Sequence, residues 1–263
     1  MRTNHLVTLV SLVSLVGLCA CHRDKPYTII GTLDLPDQIP FGDTIIDVPS
    51  FEDTWVYLLD FDNQLLDSAQ ISQNTFRFEG KVNSGEPYFV QFVSQLGSTL
   101  IAIEPGDIDV LINPDITVTG TPSNDGMTGM DDALEELNSE TYEYLAFLTD
   151  SLRNSGEELA DDVQMQMAER FRNQTNHILD SIYDANRDNL AAAYAVIMRN
   201  IDVQSADEFE QAMKKYPKSI QQNELVQITL RSLRQYEMSD DDDSITFDPQ
   251  LLGVEELDAD QKP

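Results

Sequence analysis

The pattern of apolar and polar positions changes once along the chain. From Tyr27 to about Gly120, apolar residues alternate with polar ones or form short runs between turn residues. That pattern is typical of β-strands. In the clearest case, residues 76–81 alternate between Phe or Gly and a charged side chain, so one face of that strand should be buried and the other wet. The predicted strands are Tyr27–Leu35, Thr54–Asp60, Gln64–Ile71, Thr75–Val82, Tyr88–Val93, Thr99–Ile103, Asp107–Ile112 and Ile116–Thr119. Strands this short and closely spaced favour an antiparallel β-sandwich, with hairpin turns at Asp62-Asn63 and Gln73-Asn74.

From Ser123 the apolar period becomes 3.6, which indicates helices. One apolar stripe runs from Leu134 to Leu152 and a second from Leu159 to Ala185, so we expect a helical hairpin. Ser155 with Glu158 predicts a capping box at the start of the second helix. We interpret the Met and Tyr residues of both stripes as core residues and not as a cofactor site.

Shorter helices should complete this half of the chain. The pattern predicts helices over about Leu190–Ile201 and Glu224–Tyr236, with a capping box at Ser205 and Glu208 between them. The expected fold class is α+β, with a sandwich domain over 27–122 and a helical domain over 123–239. Residues 240–263 are strongly acidic and are expected to be a disordered tail.

The amino terminus has the features of a secretory signal. A basic start is followed by an apolar run from Leu6 to Val16, so residues 1–20 are predicted to be a signal peptide. The stretch Leu18-Cys19-Ala20-Cys21 resembles a lipobox, the signal-peptidase II site of bacterial lipoproteins. That resemblance implies cleavage before Cys21, lipidation of the Cys21 sulfur and a short lipidated tether over 21–26. The alternative is an ordinary secretory signal with a chance cysteine.

Charge and cysteine content exclude several classes of function. The chain has 47 acidic and 16 basic residues and a net charge of −31, so nucleic acid and anionic lipid surfaces are poor partners. Cys19 would leave with the signal peptide and Cys21 would carry lipid, so the mature protein should lack a free thiol.

Five short motifs carry a family resemblance. They are residues 56–59, 66–69, 76–80, 103–106 and 118–121. In this order they resemble a domain of unknown function that precedes a thioredoxin-like domain in extracytoplasmic lipoproteins of certain Gram-negative bacteria. The resemblance covers about 27–124 and implies no catalytic residues in this domain. The Cys-x-x-Cys pair of the thioredoxin-like domain is missing here, and so is that domain, so the chain is not expected to exchange disulfides alone.

One connection departs from the resemblance. The segment between Leu35 and Thr54 is longer than the usual first connection and carries an apolar set. These residues are Ile39, Phe41, Ile45, Ile46 and Phe51. They form either a lid over the end of the sandwich or a partner-binding loop, and the lid is favoured because apolar loop residues usually cover a core.

Other candidate chemistry is sparse. His177 falls within a helix and has no matching nucleophile, so no catalytic residues are predicted. No His/Cys cluster has the spacing of a metal site, so no metal and no cofactor is predicted. Thr44 and Ser244 lie in Asp-Ser/Thr-apolar tripeptides that resemble the O-glycosylation acceptor of the same bacterial group.

Three functions remain in order of preference. The first is a non-catalytic envelope lipoprotein that binds or scaffolds a partner protein, anchored by its lipid, with the outer membrane facing the periplasm as the expected location. The second is an accessory subunit of a separate thioredoxin-like oxidoreductase. The third is a hydrolase with a carboxylate site, to which no motif points.

Overall fold

Strands occupy the first half of the chain and helices the second, as the change of period predicts. The computed structural model describes residues 24–41, 44–82, 86–113, 115–155 and 160–239. Within them the strands are β1 (Lys25–Leu33), β2 (Gln38–Phe41), β3 (Thr44–Asp47), β4 (Trp55–Leu59), β5 (Leu65–Gln70), β6 (Thr75–Val82), β7 (Tyr88–Ser94), β8 (Gly97–Ile103), β9 (Gly106–Asn113) and β10 (Asp115–Thr119). The fold class is α+β, which confirms the expectation.

Two four-stranded sheets enclose the larger apolar core. The first has the order β10-β9-β1-β6 and the second β5-β4-β7-β8. Alternate residues of both sheets point inward, and the core includes Ile29 and Phe76 from the first sheet and Val56 and Phe92 from the second. The rings of Phe76 and Phe92 stack across the two sheets with centroids 5.3 Å apart. The period-2 alternation of the sequence thus places one face of each sheet against the other.

The first sheet is mixed and not purely antiparallel. β1 pairs with β6 in antiparallel register but with β9 in parallel register, with Tyr27 opposite Gly106. The sequence analysis did not anticipate this, because apolar alternation defines which residues face the core and not the direction of the neighbouring strand. The predicted turn at Gln73-Asn74 is present, and both residues have positive φ, as a type I′ hairpin turn requires.

The second half of the described chain is helical. Its helices are α1 (Pro122–Ser155), α2 (Asp161–Ala185), α3 (Ala191–Arg199), α4 (Ala206–Met213), α5 (Lys218–Gln221) and α6 (Glu224–Ser239). Ser205 is the N-cap of α4, as predicted, since its side chain accepts the backbone N–H of Glu208, which is one of the two hydrogen bonds of a capping box. The one predicted at Ser155 is wrong. Ser155 ends α1, and α2 begins after Ala160, which has no side-chain cap.

The helical half packs against the outer face of the second sheet. Phe89 of β7 and Ala102 of β8 share an apolar cluster with Met127 of α1, Ala191 of α3 and Leu225 of α6. The sheet therefore separates two apolar layers, one facing the other sheet and one facing the helices. This contact holds the base of the helical region on the sandwich.

Buried polar side chains reinforce the junction. Asn124, fully buried in α1, accepts the backbone N–H of Ala102 and donates to its carbonyl, both at 2.9 Å. β8 is an edge strand of its sheet, so Asn124 pairs with the backbone of Ala102 in place of a neighbouring strand. The carboxylate of Glu104 accepts hydrogen bonds from the backbone N–H of Ser123 at 2.7 Å and from the Ser123 hydroxyl at 2.9 Å. A carboxylate therefore lies at the start of α1, where the helix dipole favours negative charge.

Candidate partner-binding groove

The helices α1 and α2 form an antiparallel hairpin whose two ends differ in packing. Near the sandwich, Met130 of α1 and Leu179 of α2 are buried together with Ala195 of α3. Leu137 is the last buried residue that the structure describes along α1. Beyond it, no side chain is buried in residues 138–152 or, on α2, in 163–178. Among the described residues, no third element therefore covers the distal half of the hairpin.

A groove runs between the two helices along this half. It is bounded by 133–144 of α1 and 163–178 of α2, and we call it the hairpin groove. One part encloses about 870 Å³ around Leu137 and Ile178. A second part of about 560 Å³ lies toward the tip, around Tyr144 and Phe171. The two parts share several lining residues, including Leu137, so they form one continuous surface.

The apolar stripes that predicted a core meet in this groove. Tyr144 is 51% exposed and Val163 is 37% exposed, although both lie at positions predicted to face inward. The interpretation of the full stripes as core is thus wrong for their distal halves. The period of the stripe identifies the faces that meet, but two helices alone leave much of such faces open to water.

Apolar surface continues around the tip of the hairpin. Tyr142 is 73% exposed, Phe147 69% and Met165 70%. Exposed aromatic and Met side chains are common at protein-binding surfaces.

The charges along the groove are asymmetric. Glu136 and Glu140 line it from α1, and Glu169 lines it from α2. Between Asp131 and Leu152 the chain has seven acidic residues and no basic one. On α2, Arg170 and His177 also line the groove, so the acidic side of the groove is the α1 side.

A small notch separates the groove from the sandwich. Asp131 and Tyr194 line it together with Asn124, and it encloses only about 40 Å³. Burial, and then the neighbouring Asp132 charge, raise the pKa of Asp131 to about 6. Burial, and then the charge of Asp131, raise the pKa of Tyr194 to about 12. The notch has room for about one water, so we assign it a structural role at the junction.

The connection that the sequence marked as unusual forms a ribbon. β2 and β3 pair only with each other, with Gln38 opposite Asp47. Ile39, Phe41 and Ile46 lie within these two strands. Phe51 is half-buried against the sandwich core, as a lid would be, whereas Ile45 is 71% exposed. Phe51 therefore fits a lid and Ile45 fits an exposed loop, the two roles that the sequence left open.

The remaining predicted sites are scattered. Thr44 is exposed at the start of β3. Cys21 and Ser244 lie outside the described residues. His177 is exposed on the wall of the hairpin groove. Among the residues that the structure describes, no three His, Cys, Asp or Glu side chains are grouped as metal ligands would be.

Within the described ranges of the chain, no helix is both long and apolar enough to cross a bilayer. A family profile named Domain of unknown function (DUF4369) matches residues 44–127, about a third of the chain. The match extends from β3 into α1 and thus includes Glu104 and Asn124 at the junction, whereas the hairpin groove lies beyond it. No curated protein matches the chain.

Proposed function

We propose that this chain is a non-catalytic, lipid-anchored envelope protein that binds a partner protein through the hairpin groove. The observation that carries the proposal is the distal hairpin, in which two long amphipathic helices bury no residue over 138–152 and 163–178. Helices of this kind gain most of their stability from packing of the apolar face. A partner that covers the groove would supply the missing packing.

The sequence supports the envelope location. The lipobox-like stretch ending at Cys21 would place diacylglycerol on the mature amino terminus. Several buried acyl chains give firm anchoring, where a single chain would be marginal. The domain at 44–127 supports a relationship to the redox lipoproteins that the motifs resemble.

A scaffold fits the geometry of the molecule. The junction through Asn124 and the apolar cluster around Phe89 hold the base of the hairpin on the sheet. The sandwich would thus present the distal hairpin at a fixed place, away from its own core. If the bound protein carries a Cys-x-x-Cys motif, the chain is an accessory subunit of that oxidoreductase, which is the second function considered.

Site-specific photo-crosslinking in intact cells tests the proposal. A photoreactive amino acid is placed at Gln166, which lines the groove, and as a matched control at Ala168, which is exposed on the same helix outside it. We expect one protein to be captured from Gln166 and not from Ala168, and the capture to be lost when Tyr144→Asp is added. Equal capture from both positions, or none from either, would contradict the proposal.

A further inference from the structure

We infer that the occupant of the hairpin groove is a cationic amphipathic helix of a partner protein, about three turns long. This inference rests on the proposed function and adds the chemistry of the partner. It is carried by the combination of an apolar floor, an acidic rim on one side and the length of the opening between the two helices.

The apolar floor of the groove favours a partner helix that has an apolar face. Leu137 and Ile178 lie at its base, and Phe171 and Tyr144 lie toward the tip. Side chains three and four residues apart on one helix line each wall, and a third helix lying between them would present anchors at i, i+3 or i+4, and i+7. An extended peptide would fit less well, because the nearest backbone groups of α1 and α2 are already paired within their own helices.

The length of the groove sets the length of the bound helix. The α1 wall runs from Ala133 to Tyr144. At about 1.5 Å per residue this wall is roughly 17 Å long, so it matches about 12 residues of helix. A partner segment of that length is marginally helical alone and would become ordered on binding.

The rim selects positive charge. Glu136 and Glu140 on α1 line the groove. Lys or Arg residues that flank the apolar anchors of the partner would lie against these carboxylates. A net charge of −31 on the chain also favours encounter with a cationic segment.

A second copy of this chain is a poorer occupant. The α1 carboxylates of the second copy would come close to those of the first and repel them. In the described part of each α2, only Arg170 and Arg172 could offset this repulsion. Self-association is therefore an outcome that the test must separate from partner binding.

Fluorescence anisotropy with designed peptides tests the inference on the full-length protein purified in mild detergent. The probe is a labelled 14-residue peptide with Leu at helical a and d positions and Lys beside them. A scrambled peptide of the same composition tests for charge attraction alone, and a Glu-for-Lys version tests for the sign of the charge. We expect the first peptide to bind at 150 mM salt at least tenfold more tightly than either control.

Variants locate the site. Replacing two carboxylates in E136Q/E140Q should weaken binding of the Lys peptide about three- to tenfold, since each exposed pair contributes modestly. The matched variant E143Q lies on the same helix outside the groove lining and should change affinity less than twofold. At this salt the screening length is about 8 Å, so distant charges contribute little.

Three results would overturn the inference. They are equal binding of the scrambled peptide, equal binding of the Glu peptide, and a concentration-dependent dimer whose formation is blocked by Tyr144→Asp. Crosslinking to an acidic or neutral partner segment from Gln166 would also overturn it while leaving the proposed function standing. Absence of any groove-specific crosslink in cells would instead remove the proposed function itself.

Discussion

Replacing Asn124 with Leu should loosen the attachment of the helical half to the sandwich. Asn124 is completely buried and makes three hydrogen bonds of 2.8–2.9 Å, two to the backbone of Ala102 and one to the hydroxyl of Thr121. Leu has a similar size but cannot pair with these groups. The N–H and C=O of Ala102 would then stay buried without partners.

The expected loss follows from those two backbone groups. A buried donor or acceptor without a partner costs about 1–3 kcal/mol, so the pair gives about 2–6 kcal/mol. Leu recovers part of this by burying more apolar surface, at about 25 cal/mol per Å². We therefore expect Asn124→Leu to lower the free energy of unfolding by about 3 kcal/mol, mainly because the edge of β8 loses its hydrogen-bond partner.

Urea titration with two probes measures this loss. Trp55 is the single tryptophan of the chain and lies in β4, so its fluorescence reports the sandwich, while circular dichroism at 222 nm reports the helices. The matched variant Asn138→Leu makes the same change at an exposed position of α1 and should stay within about 0.5 kcal/mol of the wild type. A loss below about 0.5 kcal/mol for Asn124→Leu, or an equal loss for both variants, would refute the reasoning.

Four further substitutions give expected outcomes in the same urea assay. Ser205→Ala removes the cap of α4 and should cost about 1 kcal/mol, and an unchanged midpoint would contradict the cap. Gly31→Ala would place a Cβ 1.9 Å from the Phe76 ring and should destabilise the protein strongly. Gly129→Ala, which has open space around it in α1, should instead stabilise the protein by about 0.5–1 kcal/mol. A Gly31→Ala variant more stable than Gly129→Ala would contradict the packing of Phe76 on Gly31. Asp131→Asn should match the wild type below about pH 4, gain relative stability between about pH 4 and 6, and keep that gain unchanged above pH 6, because the folded pKa of about 6 lies above 3.8 and the ionised form is the disfavoured one. Since the Asp131 side chain is exposed to solvent, the gain should stay below about 1 kcal/mol, and a gain that is the same below pH 4 as above pH 6 would contradict the shift.

Local patterns predicted the elements of this fold well. The alternation over 75–82 and the turn at Gln73-Asn74 appear where expected, because a strand with one wet face and a turn with positive φ both have strict local requirements. The cap at Ser205 is correct for the same reason, since its hydrogen bond spans only three residues.

Features that depend on distant residues were not predicted. The parallel pairing of β1 with β9 is decided by the path of the chain and not by the pattern within either strand. The β2–β3 ribbon was missed because Pro40 and the short length of its strands weaken the local signal. Ser155 and Glu158 have the spacing of a cap, but Ser155 is the last residue of α1, α2 begins after Ala160, and Glu158 lies outside the described residues.

The hairpin groove shows the same limit most clearly. The stripe from Leu134 to Leu152 has the period of a buried helix throughout, yet within it only Leu137 is fully buried, and Tyr144 is exposed. Periodicity reports that an apolar face exists, and the number of elements that reach it decides whether it is buried. This contrast between pattern and burial supports our proposal that the distal hairpin is a binding surface.

Hydrogen exchange of the hairpin amides tests the central claim most directly. The protein is compared in purified form and in envelope vesicles from its native cells. We predict that amides over 138–152 and 163–178 exchange faster than those over 123–137 in the purified protein and become selectively protected in the vesicles. The same exchange in both samples, or protection confined to the sandwich, would contradict a groove that is completed by a partner.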